Sequence, residues 1–166
     1  MKIKNVMVKN VATCGPDDNV AEVAAKMWDA RCGSLPVVND RGTVTGLITD
    51  RDICIALGTR NVRASELKVK DVALPRVFCC GTDDDVLLAL KTMVAQNIRR
   101  LPVVDDVGKL AGILSIDDLL LHSGRTAGKT GISHDDVVNA AKLILMSRTR
   151  EAVHQPGELI AAGSFS

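Results

Sequence analysis

Aromatic side chains are nearly missing from this sequence, which has one Trp, two Phe and no Tyr among 166 residues. Proteins that hold single-stranded nucleic acid stack its bases on such rings, so composition argues against that class. A surplus of either charge is missing too. The formal net charge is +1, from 21 basic and 20 acidic residues mixed along the chain, and no basic stripe marks a duplex-binding face. No apolar run reaches the roughly 18–20 residues of a membrane helix. The opening stretch "MKIKNVMVKN" lacks the apolar region of a signal peptide. The expected address is the cytoplasm, with neither nucleic acid nor membrane as partner.

The five cysteines, Cys14, Cys32, Cys54, Cys79 and Cys80, show no C-x-x-C spacing. An odd count in this pattern is neither a disulfide frame nor a zinc site. Cys14 and Cys80 occupy matching places in two halves of the chain and read as small buried apolar residues. The vicinal pair Cys79-Cys80 leaves a redox role open. His122, His134 and His154 lie late in the chain without ligand spacing. No metal and no catalytic cofactor is expected.

Aliphatic residues are what the chain has in abundance. The apolar fraction is 46%, so a core of Val, Leu, Ile, Ala and Met suits one compact domain or two small halves sharing an interior. The halves are visible. Lys2–Ile53 aligns with Lys68–Leu119 without an insertion, and "LPVVNDRGTVTGLITDRD" from Leu35 faces "LPVVDDVGKLAGILSIDD" from Leu101. Such internal repetition decides the fold before any local reading does.

Each copy predicts strand, helix, strand, strand, helix. Val11–Cys14 and Val77–Cys80 are short apolar stretches closed by Gly15 and Gly81, as strands are. Asp17-Asp18-Asn19 offers helix caps. Val20, Val23, Ala24 and Met27 then form one helical face, repeated as Val86, Ala89, Leu90 and Met93. Leu35–Val38 is a strand whose Pro36 suits an edge or first position. Asn39–Gly42 makes a turn, Val44–Ile48 returns, and Asp50–Leu57 is a short helix closed by Gly58.

The last part differs. "HSGRTAGKTGIS" is a glycine-rich connection, and "GRTAGKT" within it is no phosphate loop, because Gly124 and Gly128 are one residue too close. Ser133 and Asp136 suit a capping box for a final helix. That helix carries Val137, Ala141, Ile144 and Leu145 on one face and the cations of "SRTR" near its end.

Both copies share Gly-x-x-hydroxyl-x-x-Asp, as Thr49/Asp52 and Ser115/Asp118. A helix N-cap accounts for the hydroxyl and acid. Yet the reciprocal box favours Glu or Gln where both copies have Asp, and both place a glycine where a cleft wall needs room. A hydroxyl at a helix start can seat phosphate, and a carboxylate one turn away can accept both hydrogen bonds of a ribose diol.

With these paired motifs, the chain resembles tandem CBS domains, the Bateman module, over residues 2–121, and is similar to small stand-alone bacterial proteins of that kind. The resemblance implies a mixed α/β (α+β) fold of two pseudo-symmetric β-α-β-β-α repeats packed through their sheets. Repeat 1 spans 1–66 and repeat 2 spans 67–122, followed by a linker over 123–132, a helix over 133–150 and a flexible tail over 151–166. It implies a regulatory module without catalysis that binds an adenosine ligand between the repeats: AMP, ADP, ATP, NAD or S-adenosylmethionine. The module signals to a partner protein. Apolar helix faces in excess of what one small module can bury add the expectation of a homodimer.

Carried over by position, Thr49 and Ser115 meet phosphate or ribose oxygens, and Asp52 and Asp118 the ribose hydroxyls. Ala12 and Phe78 sit where the base is contacted; Gly33-Ser34 and Arg99-Arg100 sit where phosphate is. The copies are uneven, since Arg51 is replaced by Asp117 and Arg99-Arg100 has no basic counterpart in the first. Two alternatives stay open: a ligand-free dimerisation scaffold whose motifs are only caps, and an enzyme acting on a nucleotide.

Overall fold

The computed structural model describes residues 1–73, 77–128 and 131–153, with side chains up to residue 147. In chain order the elements are α1 (Val20–Asp29), β1 (Ser34–Val38), β2 (Val44–Thr49), α2 (Asp50–Arg60), α3 (Val69–Val72), β3 (Cys80–Gly81), α4 (Val86–Ala95), β4 (Arg100–Val104), β5 (Leu110–Ser115), α5 (Ile116–His122) and α6 (His134–Val153), with short 3-10 turns at Ile3–Asn5 and Ala64–Glu66. None of the described helices is long and apolar enough to cross a membrane.

The repeat holds in three dimensions. β1 pairs antiparallel with β2, β4 with β5, and both hairpins carry a register shift at the same place, Val37/Val38 and Val103/Val104. Gly42 and Gly108 each take φ 78 in the turn, a conformation that favours glycine. The opening strand of each repeat is shorter than the apolar stretch suggests. In the first it is a single parallel bridge, Cys14 to Val37, and in the second it is the two residues of β3. The hairpins meet at their turns, where Leu110 N–H donates to the Gly42 carbonyl at 3.1 Å.

Helix ends follow local chemistry with one exception. Asn19 caps α1 by accepting from Glu22 N–H, and Asp85 caps α4 by accepting from Leu87 N–H. On α1, Val20, Val23 and Met27 are buried while Ala24 is exposed; on α4 the whole stripe is buried. The exception is α2, which runs through Gly58 to Arg60 and stops at Asn61, in the left-handed region at φ 52. Asn tolerates that conformation, and the helix absorbs the glycine.

Repeats close on each other, not on themselves. Ile3 N–H donates to the Asp84 carbonyl and Lys4 N–H to Thr82, while Val69 N–H donates to Asp18 and Lys70 N–H to Pro16, all within 2.9–3.0 Å. Ion pairs copy the exchange: Lys4 to Asp83 and Lys70 to Asp17, each at 2.8 Å. Consequently Ile3 and Val6 are buried in the core of the second half, and Leu67 and Val69 in that of the first. Hydrogen bonds from Lys70 and Lys68 hold the Asp17 carboxyl below its ordinary 3.8, and Lys4 does the same for Asp83. The unfolded chain binds these protons more readily, so this contribution is complete above the ordinary value and is lost as pH falls through the lowered one. Both carboxylates are solvent-exposed, and the contribution is small.

The leader Met1–Val8 ends by bridging Val8 to Ile113 of β5. A Cβ on Gly112 would lie 2.5 Å from the Val8 carbonyl oxygen. The glycine of the second motif therefore makes room for the leader's backbone, and it also lines a hollow of about 390 Å³ with Val38, Gly42 and Lys109.

The connection after α5 is pinned: Gly124 bridges to Ser133, and Ile132 is fully buried. Ser133 and Asp136 form the expected capping box. α6 then lies on α4 and α5. Its buried face is Val137, Ala140 and Ile144, with Ala141 at the edge and Leu145 exposed, so Val137 and Ile144 lie where expected while Ala140 takes the place expected of Leu145. Residues 154–166, most of the expected tail, lie outside the described residues.

Two glycine substitutions test this packing. A Cβ at Gly58 meets nothing within 4 Å, so Gly58→Ala is expected to raise stability by ~0.5–1 kcal/mol, the cost of glycine inside a helix. Gly112→Ala forces the leader off β5 and is expected to lower stability by ~1–3 kcal/mol, as overpacking does. Urea unfolding reads both, and equal midpoints would contradict the leader contact.

Candidate functional site

The start of α2 combines a hydroxyl N-cap with an arginine in its first turn. Thr49 is its N-cap, and its Oγ1 accepts from Asp52 N–H at 3.2 Å. Asp52 answers through one oxygen, Oδ2, which accepts from Thr49 N–H at 3.0 Å and Thr49 Oγ1–H at 2.7 Å. The second copy repeats the arrangement, with Ser115 N–H donating to Asp118 Oδ2 at 2.8 Å and Asp118 N–H to Ser115 Oγ at 3.2 Å. Both boxes are thus complete with Asp in the place where Glu is commoner.

What separates the copies is the wall opposite. A cleft of about 160 Å³ is lined by Leu47, Thr49, Asp50 and Arg51 from the first half and by Ile98, Arg99 and Arg100 from the second. Arg51 and Arg99 are exposed and Arg100 half-buried. The pair Arg99-Arg100 therefore serves the same cleft as Arg51 and Thr49. At the matching positions of the other copy stand Ser115, Ile116 and Asp117 with Cys32, Gly33 and Ser34, among which there is no cation. Asp50 tempers the first cleft, since its Oδ1 accepts from Arg51 N–H at 2.7 Å.

Other expected positions lie elsewhere. Asp52 lines a separate hollow with Ile55, Thr59 and Arg60. Gly33 lies against Asp50, whose Oδ2 would sit 2.8 Å from an added Cβ. Ser34 is 4% exposed, at the start of β1. Ala12 packs on the first core and Phe78 on the second.

Leu47, Asp50 and Ile98 are cleft residues that the sequence motifs did not single out. Beside Ile98 in the chain is Asn97, at φ 55, whose Oδ1 is buried without a partner among the described residues. An unmet buried acceptor costs about 1–3 kcal/mol and is more often tolerated next to a functional site than in a plain core.

Thiol chemistry is not favoured here. Burial, reinforced by the Asp18 carboxylate, pushes Cys14 up to about 11. Burial, with Asp84 and Cys79 beside it, pushes Cys80 up to about 12. Cys79 is raised by burial as well. Thiols so held stay protonated at neutral pH and make poor nucleophiles. Among the described residues no group of three or more His, Cys, Asp or Glu is placed to hold a metal ion.

Comparison with known proteins gives a consistent family. A family model described as CBS domain matches residues 3–59 and again 69–124. The CBS domain-containing protein YhcV of Bacillus subtilis is 32% identical over 139 residues, 81% of this chain and 97% of that protein. An uncharacterized protein of Methanopyrus kandleri is 35% identical over 120 residues, 72% of this chain and 61% of that protein. An inosine-5'-monophosphate dehydrogenase of Methanocaldococcus jannaschii is 36% identical over 119 residues, but these are 72% of this chain and only 23% of the enzyme.

Among solved structures, the CBS domain pair of protein MJ0100, in complex with 5'-methylthioadenosine and S-adenosyl-L-methionine, superposes with TM-score 0.65. It is 25% identical, covering 72% of this chain and 92% of that one. A CBS domain protein from Pyrobaculum aerophilum complexed with AMP has TM-score 0.69 at 20% identity, covering 86% and 99%.

Charge at the two helix starts makes them separable in solution. Unit charges ~4 Å apart interact by ~4 kcal/mol at an effective dielectric near 20, less when exposed. Inorganic pyrophosphate is therefore expected to move the amide resonances of Thr49–Asp52 at concentrations that leave Ser115–Asp118 unmoved. Arg51→Asp is expected to weaken that binding at least tenfold. Equal shifts at both helix starts would contradict the asymmetry.

Proposed function

This chain belongs to the CBS-domain family, and we propose that it is a regulatory module whose first cleft takes the phosphate end of an adenosine nucleotide. The observation that carries the reading is the meeting of Thr49 and Arg51 with Arg99 and Arg100 across the junction of the repeats. Guanidinium groups bind phosphate bidentately, and the start of an 11-residue helix adds its dipole. A cleft of about 160 Å³ holds a phosphate group but not a whole nucleotide, so the nucleoside extends out of it. Asp52 keeps its cap through Oδ2 and offers Oδ1 to the ribose. Ala12 provides apolar contact for the base.

Relatives support the ligand class. One solved CBS pair is in complex with 5'-methylthioadenosine and S-adenosyl-L-methionine, another with AMP, and adenosine is common to all three ligands. The cationic cleft selects among them, because S-adenosylmethionine brings a sulfonium and an ammonium toward arginines, whereas AMP, ADP, ATP and NAD bring phosphate. The module works as a homodimer in the cytoplasm and reports nucleotide state to a protein partner. Its match to the dehydrogenase covers only a small part of that enzyme, which supports a regulatory and not a catalytic role.

A scaffold without ligand is the second reading, favoured by one observation: in both capping boxes the hydroxyl and the carboxylate satisfy each other and the helix start. Calorimetry and thermal shift decide between them. Nucleotide at ~100 times its dissociation constant stabilises the fold by ~2.7 kcal/mol, and AMP, ADP, ATP or NAD is expected to do so while S-adenosylmethionine does less. No shift with any of them supports the scaffold.

Asp52→Glu separates the two roles of one side chain. Glu suits this position of a capping box, so the free protein is expected to melt as before. A carboxylate displaced by one methylene loses charge-assisted hydrogen bonds of ~1.5–3 kcal/mol each, so nucleotide affinity is expected to fall at least tenfold. Full affinity in the variant would show that Asp52 does not read the ribose.

A further inference from the structure

Asp50, the first residue of α2, borders two hollows at once. It lines the small cleft with Thr49, Arg51, Arg99 and Arg100, and it lines an open groove of about 690 Å³ between α1 and α2. No other described residue borders both. Its carboxylate is held at the junction. Oδ1 accepts from Arg51 N–H at 2.7 Å, and the Asp50 N–H donates to the Gly33 carbonyl at 3.1 Å. Oδ2 lies where a Cβ added to Gly33 would meet it at 2.8 Å. A side chain at position 33 would push the carboxylate aside.

Held there, Asp50 does not neutralise the arginines. Among the described residues no ion pair includes Arg51, Arg99 or Arg100. The cleft thus keeps three guanidinium groups for an anion, with one negative charge at its border with the groove. The second copy differs at both positions: Ile116 stands in the place of Asp50, and Arg99 in that of Gly33.

We infer that Asp50 sets the length of phosphate chain that the first cleft accepts, favouring AMP over ADP and ATP. The inference rests on the nucleotide reading above and chooses among its ligands. With the ribose at Asp52 and the first phosphate between Thr49 and the arginines, a monophosphate ends inside the cleft. All three of its terminal oxygens then face guanidinium donors and the helix start. In ADP and ATP one of those oxygens becomes a bridge, so a contact is lost. The remaining chain outgrows a cleft of about 160 Å³ and extends past Asp50 toward the groove. Each added phosphate brings further negative charge to that carboxylate. Solvent screens the repulsion but does not reverse it. The groove offers little in return: Arg31 is the one cation among its lining residues, beside Met27, Trp28 and Ile53.

Calorimetry on the whole chain tests this with AMP, ADP and ATP in EDTA. AMP is expected to bind roughly tenfold more tightly than ATP, with ADP between. Asp50→Asn keeps an oxygen that can accept from Arg51 N–H, and Asp50→Ser is neutral and shorter. Both variants are expected to gain affinity for ATP more than for AMP and to bring the two within about threefold. ATP bound as tightly as AMP by the wild type, or a gap that neither variant narrows, would overturn the inference and leave the nucleotide reading standing. So would magnesium making ATP the tighter ligand of the wild type but not of Asp50→Asn, because Asp50 would then bridge to phosphate through the cation. Binding of none of the three nucleotides would overturn the nucleotide reading and this inference together.

Discussion

Backbone hydrogen bonds from Ile3 and Lys4 to Asp84 and Thr82, and from Val69 and Lys70 to Asp18 and Pro16, hold the two repeats in one arrangement. Each repeat's helix and hairpin leave an apolar face that its own leader does not cover. The leader of the other repeat covers it, with Ile3 fully buried in one core and Val69 in the other. A half this small buries too little surface to be secure alone, so exchange makes one folding unit of two marginal ones. Separating the halves would expose both cores at once.

That exchange also positions the cleft. With the leaders crossed and the hairpin turns joined at Gly42 and Leu110, the start of α2 faces the residues ahead of β4 across the junction. A phosphate there would touch both halves, so its binding energy couples to how they sit together. A regulatory ligand needs that differential contact to shift any equilibrium. On the proposed reading, the asymmetry between the copies, cationic at Arg51 and anionic at Asp117, would restrict the effect to one side of a nearly symmetric body.

Much of this was legible in the sequence because it is set by short-range chemistry. The stripes of α1 and α4, the turns at Gly42 and Gly108, and the hydroxyl-to-Asp boxes all depend on residues within a few positions of one another. What stayed hidden depends on distant neighbours. Gly112 reads as room for a cleft, and nothing local shows that the backbone of Val8 also lies against it. Gly58 reads as a helix stop, yet α2 continues to Asn61. Ala140 replaces Leu145 on the buried face of α6 because the place where that helix docks, not its periodicity alone, selects the face. Arg99 and Arg100 could have served either copy, and only the fold brings them beside Arg51. The Asp choice in the capping boxes hinted at a ligand, but each Asp is engaged by its own box, so that hint weighs less than the arginines do.

A crystal structure of the protein soaked with AMP bears most directly on the central claim. The account predicts one nucleotide per chain, its phosphate between Arg51, Arg99 and Arg100 and its ribose at Asp52. A nucleotide seated at Ser115 and Asp117 instead, or no nucleotide in crystals where the first cleft is open to solvent, would contradict it.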